Sequence, residues 1–163
     1  MRRSYSLWGA VAIAALLLAG CASPPRTNDL PGQAAQWAGR LALRVDSDQT
    51  QSFSAGFALK GNAQAGELSL YSPLGSTIAQ LVWTPGDARL RSGGKEQIFD
   101  SLEALTRQAT GTELPVASMF QWLAGKPASA AGWEAELGEL SQGRLVARRS
   151  APPPVVVMRL VLE

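Results

Sequence analysis

Leu68-Ser69-Leu70-Tyr71-Ser72-Pro73-Leu74-Gly75-Ser76-Thr77 reads as strand, tight turn and strand. Leu68 and Leu70 alternate with Ser69 and Tyr71, the period of two that gives a strand one apolar and one wet face. Pro73 presets the backbone for a turn, and Gly75 relieves its exit. Leu74 is left at the apex, where side chains point into water. A lone exposed leucine costs little, and it also has the option of folding back onto the sheet.

The same alternation runs outward from this hairpin. Leu41, Leu43 and Val45 lie on one face; Phe53, Ala55, Phe57 and Leu59 follow, then Ala79, Leu81 and Trp83, then Ala88 and Leu90. The gaps between them are short and rich in turn formers: Asp46-Ser47-Asp48, Gly61-Asn62, Pro85-Gly86-Asp87 and Gly93-Gly94. Short gaps imply antiparallel neighbours, hence a meander. The period then changes. Asp100-Ser101-Leu102-Glu103 predicts a capping box with Asp100 as N-cap; Leu102, Leu105 and Ala109 keep helical spacing, and Gly111 closes the helix. A second helix is expected from Pro115 through Val116 to Ala124, with Met119, Phe120 and Leu123 as its apolar face and Gly125 as its end. Strands return at Trp133, Ala135 and Leu137, at Leu145 and Ala147, and from Val155 to Leu162.

The fold class is therefore mainly β: an unclosed, strongly curved antiparallel barrel with a helical insertion covering its apolar concave face. Such an interior is either filled by its own side chains or left hollow. Small residues assigned to that face, Ala42, Ala55, Ala79 and Ala135, leave room, but a packed core with alanine at tight places is the commoner explanation. Phe53, Phe57, Leu68, Leu70, Leu81, Trp83, Met119, Phe120 and Trp122 are the candidate lining residues.

The beginning of the chain has its own pattern. Arg2 and Arg3 precede an apolar run of about 12 residues, against the roughly 20 that a spanning helix needs. Leu18-Ala19-Gly20-Cys21 follows. This ending resembles the bacterial lipoprotein signal, in which the cysteine is acylated and becomes the new N-terminus. Residues 1–20 are thus expected to be a signal peptide, 21–36 a lipidated N-terminus and Pro-rich flexible tether, and 37–163 the globular domain. Ala22, rather than Asp, follows Cys21, which is what an outer-membrane lipoprotein would show.

Composition excludes several kinds of chemistry. There is no histidine, so Ser-His-Asp triads and histidine metal sites are absent. The single cysteine cannot form an intramolecular disulfide or a thiolate cluster. Of 15 basic residues Arg2 and Arg3 leave with the signal, so 13 face 13 acidic ones and the mature chain carries no basic excess for nucleic acid. The three lysines, Lys60, Lys95 and Lys126, lie in no Ser-x-x-Lys motif. No catalysis, cofactor or metal is expected.

The segment Ser72-Pro73-Leu74-Gly75-Ser76-Thr77 between two strands resembles the LolB family of outer-membrane lipoprotein receptors. So do Gly111 followed by Leu114-Pro115, the element Trp122-Leu123-Ala124-Gly125-Lys126-Pro127, and the opening Trp37-Ala38-Gly39-Arg40-Leu41. With the lipoprotein signal, the resemblance runs from Cys21 to about Pro127. It implies an unclosed barrel with helices over its mouth, anchored through Cys21 to the periplasmic face of the outer membrane. Its partners would be a LolA-like periplasmic carrier and the acyl chains of lipoproteins, which it would insert into the inner leaflet; a monomer is expected. The family's exposed loop leucine falls on Leu74, flanked by Pro73 and Gly75. The chain is shorter than some members after Ala147, which suggests a shallower hollow. The alternatives are a structural or assembly lipoprotein and a binder of another lipid. Arg148-Arg149 is a basic pair, either a solvated strand end or a contact for an acidic carrier. Glu134 and Glu136 are expected to point outward.

Overall fold

The computed structural model describes residues 35–163. The expected signal, Cys21 and the tether as far as residue 34 lie outside these residues. The described residues form nine strands: β1 (Ala35–Asp46), β2 (Gln51–Gly61), β3 (Gly66–Tyr71), β4 (Thr77–Thr84), β5 (Asp87–Ser92), β6 (Lys95–Phe99), β7 (Trp133–Glu136), β8 (Arg144–Arg149) and β9 (Val155–Leu162). They make one sheet in the order β6-β5-β4-β3-β2-β1-β9-β8-β7. Every neighbouring pair is antiparallel. The first five strands are the expected meander, and β6 extends it by one. β9 returns beside β1 and carries β8 and β7 with it. Edges remain at β6 and β7, so the barrel is unclosed. The chain that joins these edges holds α1 (Leu102–Thr110) and α2 (Val116–Leu123).

Alternation places the core. Leu41, Leu43, Phe57, Leu59, Leu68, Leu70, Leu81, Trp83, Leu90, Leu145, Met158 and Leu160 are all buried on one face. The helices add Leu105, Val116, Met119, Phe120, Trp122 and Leu123 to the same cluster. Burial of this kind stabilises by roughly 25 cal/mol per Å² of apolar surface removed from water. Ala55 and Ala79 belong to this packed cluster. Ala42 does not: it lies between buried Leu41 and Leu43 in β1, so the pleat turns it to the outer face, where it is half-buried.

Two local expectations are corrected, and one strand lies where none was expected. Ala35 and Gln36, assigned to the tether, are the first residues of β1 and pair with Gly61 and Lys60. The N-cap of α1 is Ser101, not Asp100. Ser101 is extended (φ −151°, ψ 157°) and its Oγ accepts the Ala104 N–H at 3.1 Å. Ser101 lies three residues before the free Ala104 N–H, within reach of a cap hydroxyl, so Glu103 moves into the second helical position. Strand β6 carried no alternation signal; it is an edge strand, and Lys95 to Ile98 are all exposed. Gly111 closes α1 in the left-handed region (φ 80°), as expected, with its N–H on the Arg107 carbonyl.

Gly39 is required by close approach of another strand. A Cβ at Gly39 would lie 2.0 Å from the carbonyl oxygen of Val161 on β9. β1 is the strand on which both halves of the sheet meet, and Gly39 lets β9 come close enough to pair there.

Candidate functional site

The β3–β4 loop is a closed hydrogen-bonded turn. The Gly75 N–H donates to the Ser72 carbonyl at 2.9 Å, and the Ser72 N–H donates to the Ser76 carbonyl at 2.8 Å. The Ser76 N–H also reaches Ser72 Oγ at 3.2 Å. Pro73, with no N–H to satisfy, occupies the first corner, and Gly75 takes φ +83° with open space around it. This frame leaves Leu74 93 % exposed. It does not fold back onto the sheet. Ile78, at the start of β4, is also exposed.

The candidate lining residues occupy the interior. Phe57, Leu68, Leu70, Leu81, Trp83, Met119, Phe120 and Trp122 are buried members of one cluster, and Phe53 packs against it half-buried. Phe120 sits edge-on between Trp37 (centroids 5.7 Å apart) and Trp83 (6.2 Å). The indoles of Trp83 and Trp122 are satisfied locally. Trp83 Nε1–H donates to the Asn62 carbonyl and Trp122 Nε1–H to the Ala128 carbonyl, each at 3.1 Å. Trp83 also stands over Gly66, where a Cβ would come within 2.5 Å of the ring.

The helical segment is joined to the sheet in a particular way. Ser118 Oγ donates to the Ser129 carbonyl at 3.1 Å, and Thr106 Oγ1 accepts the Leu114 N–H at 3.0 Å. Thr110 Oγ1 serves the carbonyls of Thr106 and Thr112. Arg107 pairs with Glu113. Each of these bonds, like the Trp122 bond, closes within residues 101–129. Among the described residues the helices meet the strands through apolar contact.

The sheet's outer face is polar and carries several ion pairs. Arg44 meets Asp46 at 2.7 Å, Arg89 meets Asp87 at 2.7 Å, and Arg91 meets Glu96 at 2.5 Å. Arg144 meets Glu139 at 2.9 Å. The guanidinium groups hold the carboxyls of Glu96 and Glu139 below their ordinary range. Glu67 is lowered as well, first by hydrogen bonding from Gln80 and then from Ser69. Glu134 and Glu136 are exposed, as expected of an outward-facing pair. Arg148 and Arg149 do not form one basic patch. Arg148 is exposed on the outer face, whereas Arg149 is partly buried, with its guanidinium 5.9 Å from the Trp133 ring centroid. Burial lowers the Arg149 pKa, and its Nε is buried with no hydrogen-bond partner among the described residues.

A groove missed by the sequence reading lies at the foot of the Leu74 loop. Arg40, Gly56, Tyr71, Pro73 and Glu163 line it. Its signal was hidden because the residues sit on β1, β2, β3 and the chain beyond β9, and only the strand register brings them together.

Comparison with known proteins agrees with this architecture. The family model described as "Outer membrane lipoprotein LolB" matches residues 33–150. The outer-membrane lipoprotein LolB of Bordetella petrii is 32 % identical, over 96 % of this chain and 91 % of that protein. Its namesake in Bordetella pertussis is 31 % identical over 90 % of this chain and 86 % of that protein. The Chromobacterium violaceum protein of the same name is 33 % identical over 70 % of this chain and 65 % of its own length. With an unclosed antiparallel barrel, helices between its edges and a leucine held out on the β3–β4 turn, the chain belongs to the LolB family of outer-membrane lipoproteins.

Proposed function

We propose that this protein is the receptor of lipoprotein localisation at the outer membrane: it accepts acylated lipoproteins from a LolA-like periplasmic carrier and releases their acyl chains into the inner leaflet. Cys21 would carry the lipid anchor. The observation that carries the reading is Leu74, 93 % exposed on a turn fixed by three hydrogen bonds, in a chain of the LolB family. A side chain held rigidly in water gains about 1.5–3 kcal/mol by entering an apolar phase, and the leaflet supplies one.

The interior supplies the other half of the task. An acyl chain in water costs roughly 0.8 kcal/mol per CH₂, so it must pass from carrier to receptor without being wetted. Because α1 and α2 meet the sheet through apolar contact, an acyl chain can take the place of their side chains without breaking a polar bond between the two. Phe53, Phe57, Leu68, Leu70, Leu81, Trp83, Met119, Phe120 and Trp122 are the surface it would meet. Transfer needs no nucleotide; it needs only that the receptor bind the chain more tightly than the carrier and less tightly than the bilayer.

The test uses residues 22–163, which hold all nine described strands and their core. This protein is mixed with carrier loaded with an acylated lipoprotein, and the cargo is followed by pull-down. Cargo should move to the receptor without nucleotide, and a Leu74→Glu protein should accept cargo but fail to deliver it to vesicles. Cargo that stays on a carrier known to be competent with another receptor would overturn the reading.

A further inference from the structure

The groove at the foot of the Leu74 loop has a volume of about 330 Å³. That is the small end of the range for ligand pockets, roughly 300–1,000 Å³. Its origin is a missing side chain. Arg40 on β1 pairs with Gly56 on β2, and Gly56 pairs with Tyr71 on β3, so the three lie in one row. A Cβ at Gly56 would sit 3.4 Å from Tyr71 Cβ and 3.8 Å from its ring, so Tyr71 borders the gap that the glycine leaves. Neighbouring positions are small: Ala38, Ser54 and Ala58 also line it. Pro73 and Gly75 form the wall next to the loop tip.

Two opposite charges share this groove. Arg40 and Glu163 are both exposed, and neither forms an ion pair with any described residue. They do not neutralise one another, since no salt bridge joins them, although the Glu163 N–H is tied to the Ala38 carbonyl at 3.1 Å. Arg44, Arg89, Arg91 and Arg144 each have a carboxylate on the same surface, whereas Arg40, like Lys60, Lys95, Arg148 and Arg159, has none among the described residues; what sets Arg40 apart is that it shares a groove with an unpaired carboxylate. A ligand with a phosphate and an amine a few bonds apart would satisfy both charges at once, the guanidinium taking the phosphate oxygens and the carboxylate the ammonium.

We infer that this groove receives the zwitterionic headgroup of a bilayer phospholipid of the phosphoethanolamine class, while Leu74 enters the acyl region beside it. The inference rests on the reading that the loop meets the leaflet. The geometry supplies the continuity: Pro73 and Gly75 belong both to the groove wall and to the turn that carries Leu74. The headgroup contact fixes which face of the loop is turned to the membrane, and the leucine supplies the depth.

Co-flotation with vesicles tests it, using residues 22–163 and three compositions: phosphatidylcholine alone, phosphatidylcholine with phosphatidylethanolamine, and phosphatidylcholine with phosphatidylglycerol. The unmodified protein should bind the ethanolamine vesicles best. Arg40→Gln should weaken binding to the glycerol lipid by about fivefold, the effect of one basic residue near an anionic membrane surface, and should weaken binding to the ethanolamine lipid as well. Glu163→Gln should weaken binding to ethanolamine vesicles but strengthen it to the anionic ones, because the carboxylate helps an amine and repels a bare anion. That change of sign is the signature. If both variants match the unmodified protein on all three vesicles while Leu74→Glu binds none of them, the groove assignment is wrong and the loop reading stands. If Leu74→Glu binds as well as the unmodified protein, or no vesicle is bound at all, the loop reading falls and takes the groove with it. If Arg40→Gln weakens anionic binding but Glu163→Gln leaves the ethanolamine vesicles unchanged, the groove reads phosphate alone and the zwitterionic assignment is overturned.

Discussion

The β3–β4 loop and helix α2 each present apolar side chains beyond the strands, and they hold them in opposite ways. In the loop the backbone is closed by three hydrogen bonds and the leucine stands in water. In α2 the side chains of Met119, Phe120, Trp122 and Leu123 are buried, and the polar groups of the helix bond only within its own segment. The loop is satisfied in its backbone and unsatisfied in its side chain. It gains free energy only by meeting an apolar phase outside the molecule. The helix is satisfied in its side chains, which meet the sheet through apolar contact. A protein that moves acyl chains needs both: a fixed point that seeks the membrane and an interior surface that exchanges partners.

The comparison is sharpest in the largest effect. Truncating Trp122 to alanine should destabilise the fold by about 3–5 kcal/mol in a urea titration, as for other buried aromatic residues. Leu74→Ala should leave stability within about 0.5 kcal/mol, as at an ordinary surface position, while delivery to vesicles falls. A Leu74→Ala protein destabilised by as much as a core variant would show that the leucine is packed, and the contrast would collapse. Next in size is Gly39→Ala, expected to cost about 1–3 kcal/mol as an overpacked site, because its new Cβ would meet the Val161 carbonyl. A neutral result would mean that β1 and β9 pair less closely than the structure has them. Smaller again is the helix entrance. Ser101→Ala should cost about 1 kcal/mol, and Asp100→Ala a small fraction of that. The reverse order would restore Asp100 as the cap and loosen the start of the segment that covers the interior.

The legible parts of the sequence were those where one physical constraint acted alone. Alternation in Leu41, Leu43, Phe57, Leu59, Leu68 and Leu70 marked the buried face because a strand with one wet face can be read at period two. Leu74 was legible because Pro73 and Gly75 specify the turn and leave one residue at its apex. β6 was not legible: an edge strand exposed along Lys95 to Ile98 has no buried face to impose a period. Ala42 was misplaced because alanine is tolerated on either face, and only its register between Leu41 and Leu43 decides. The choice between Asp100 and Ser101 turned on one residue of helix start, which two good caps side by side cannot specify. The groove of Arg40, Tyr71 and Glu163 was invisible for a deeper reason: those residues are adjacent only through the pairings of β1 with β2, β2 with β3 and β1 with β9. The separation of Arg148 from Arg149 follows from the pleat, but the stacking of Arg149 on Trp133 needs the pairing of β7 with β8.

The smallest expected effect concerns β3 itself, the strand that leads into the loop. Glu67 is held below its ordinary range by hydrogen bonds from Gln80 and Ser69, against a smaller opposing effect of burial. A carboxyl whose folded pKa is depressed adds stability above its unfolded pKa and loses that contribution as the pH falls through the folded value. Glu67→Gln should therefore lower stability slightly at pH 7 and lose less between pH 5 and pH 3 (about the range in which carboxylates titrate) than the unmodified protein does. Leu74→Ala should run parallel to the unmodified protein over the same range, because the loop turn contains no titrating group. Thermal unfolding at a series of pH values separates the two. A Leu74→Ala curve that converges with the Glu67→Gln curve at low pH would mean that the loop and the strand below it melt as one unit. The loop would then be an extension of the sheet's stability rather than a fixed point set outside it.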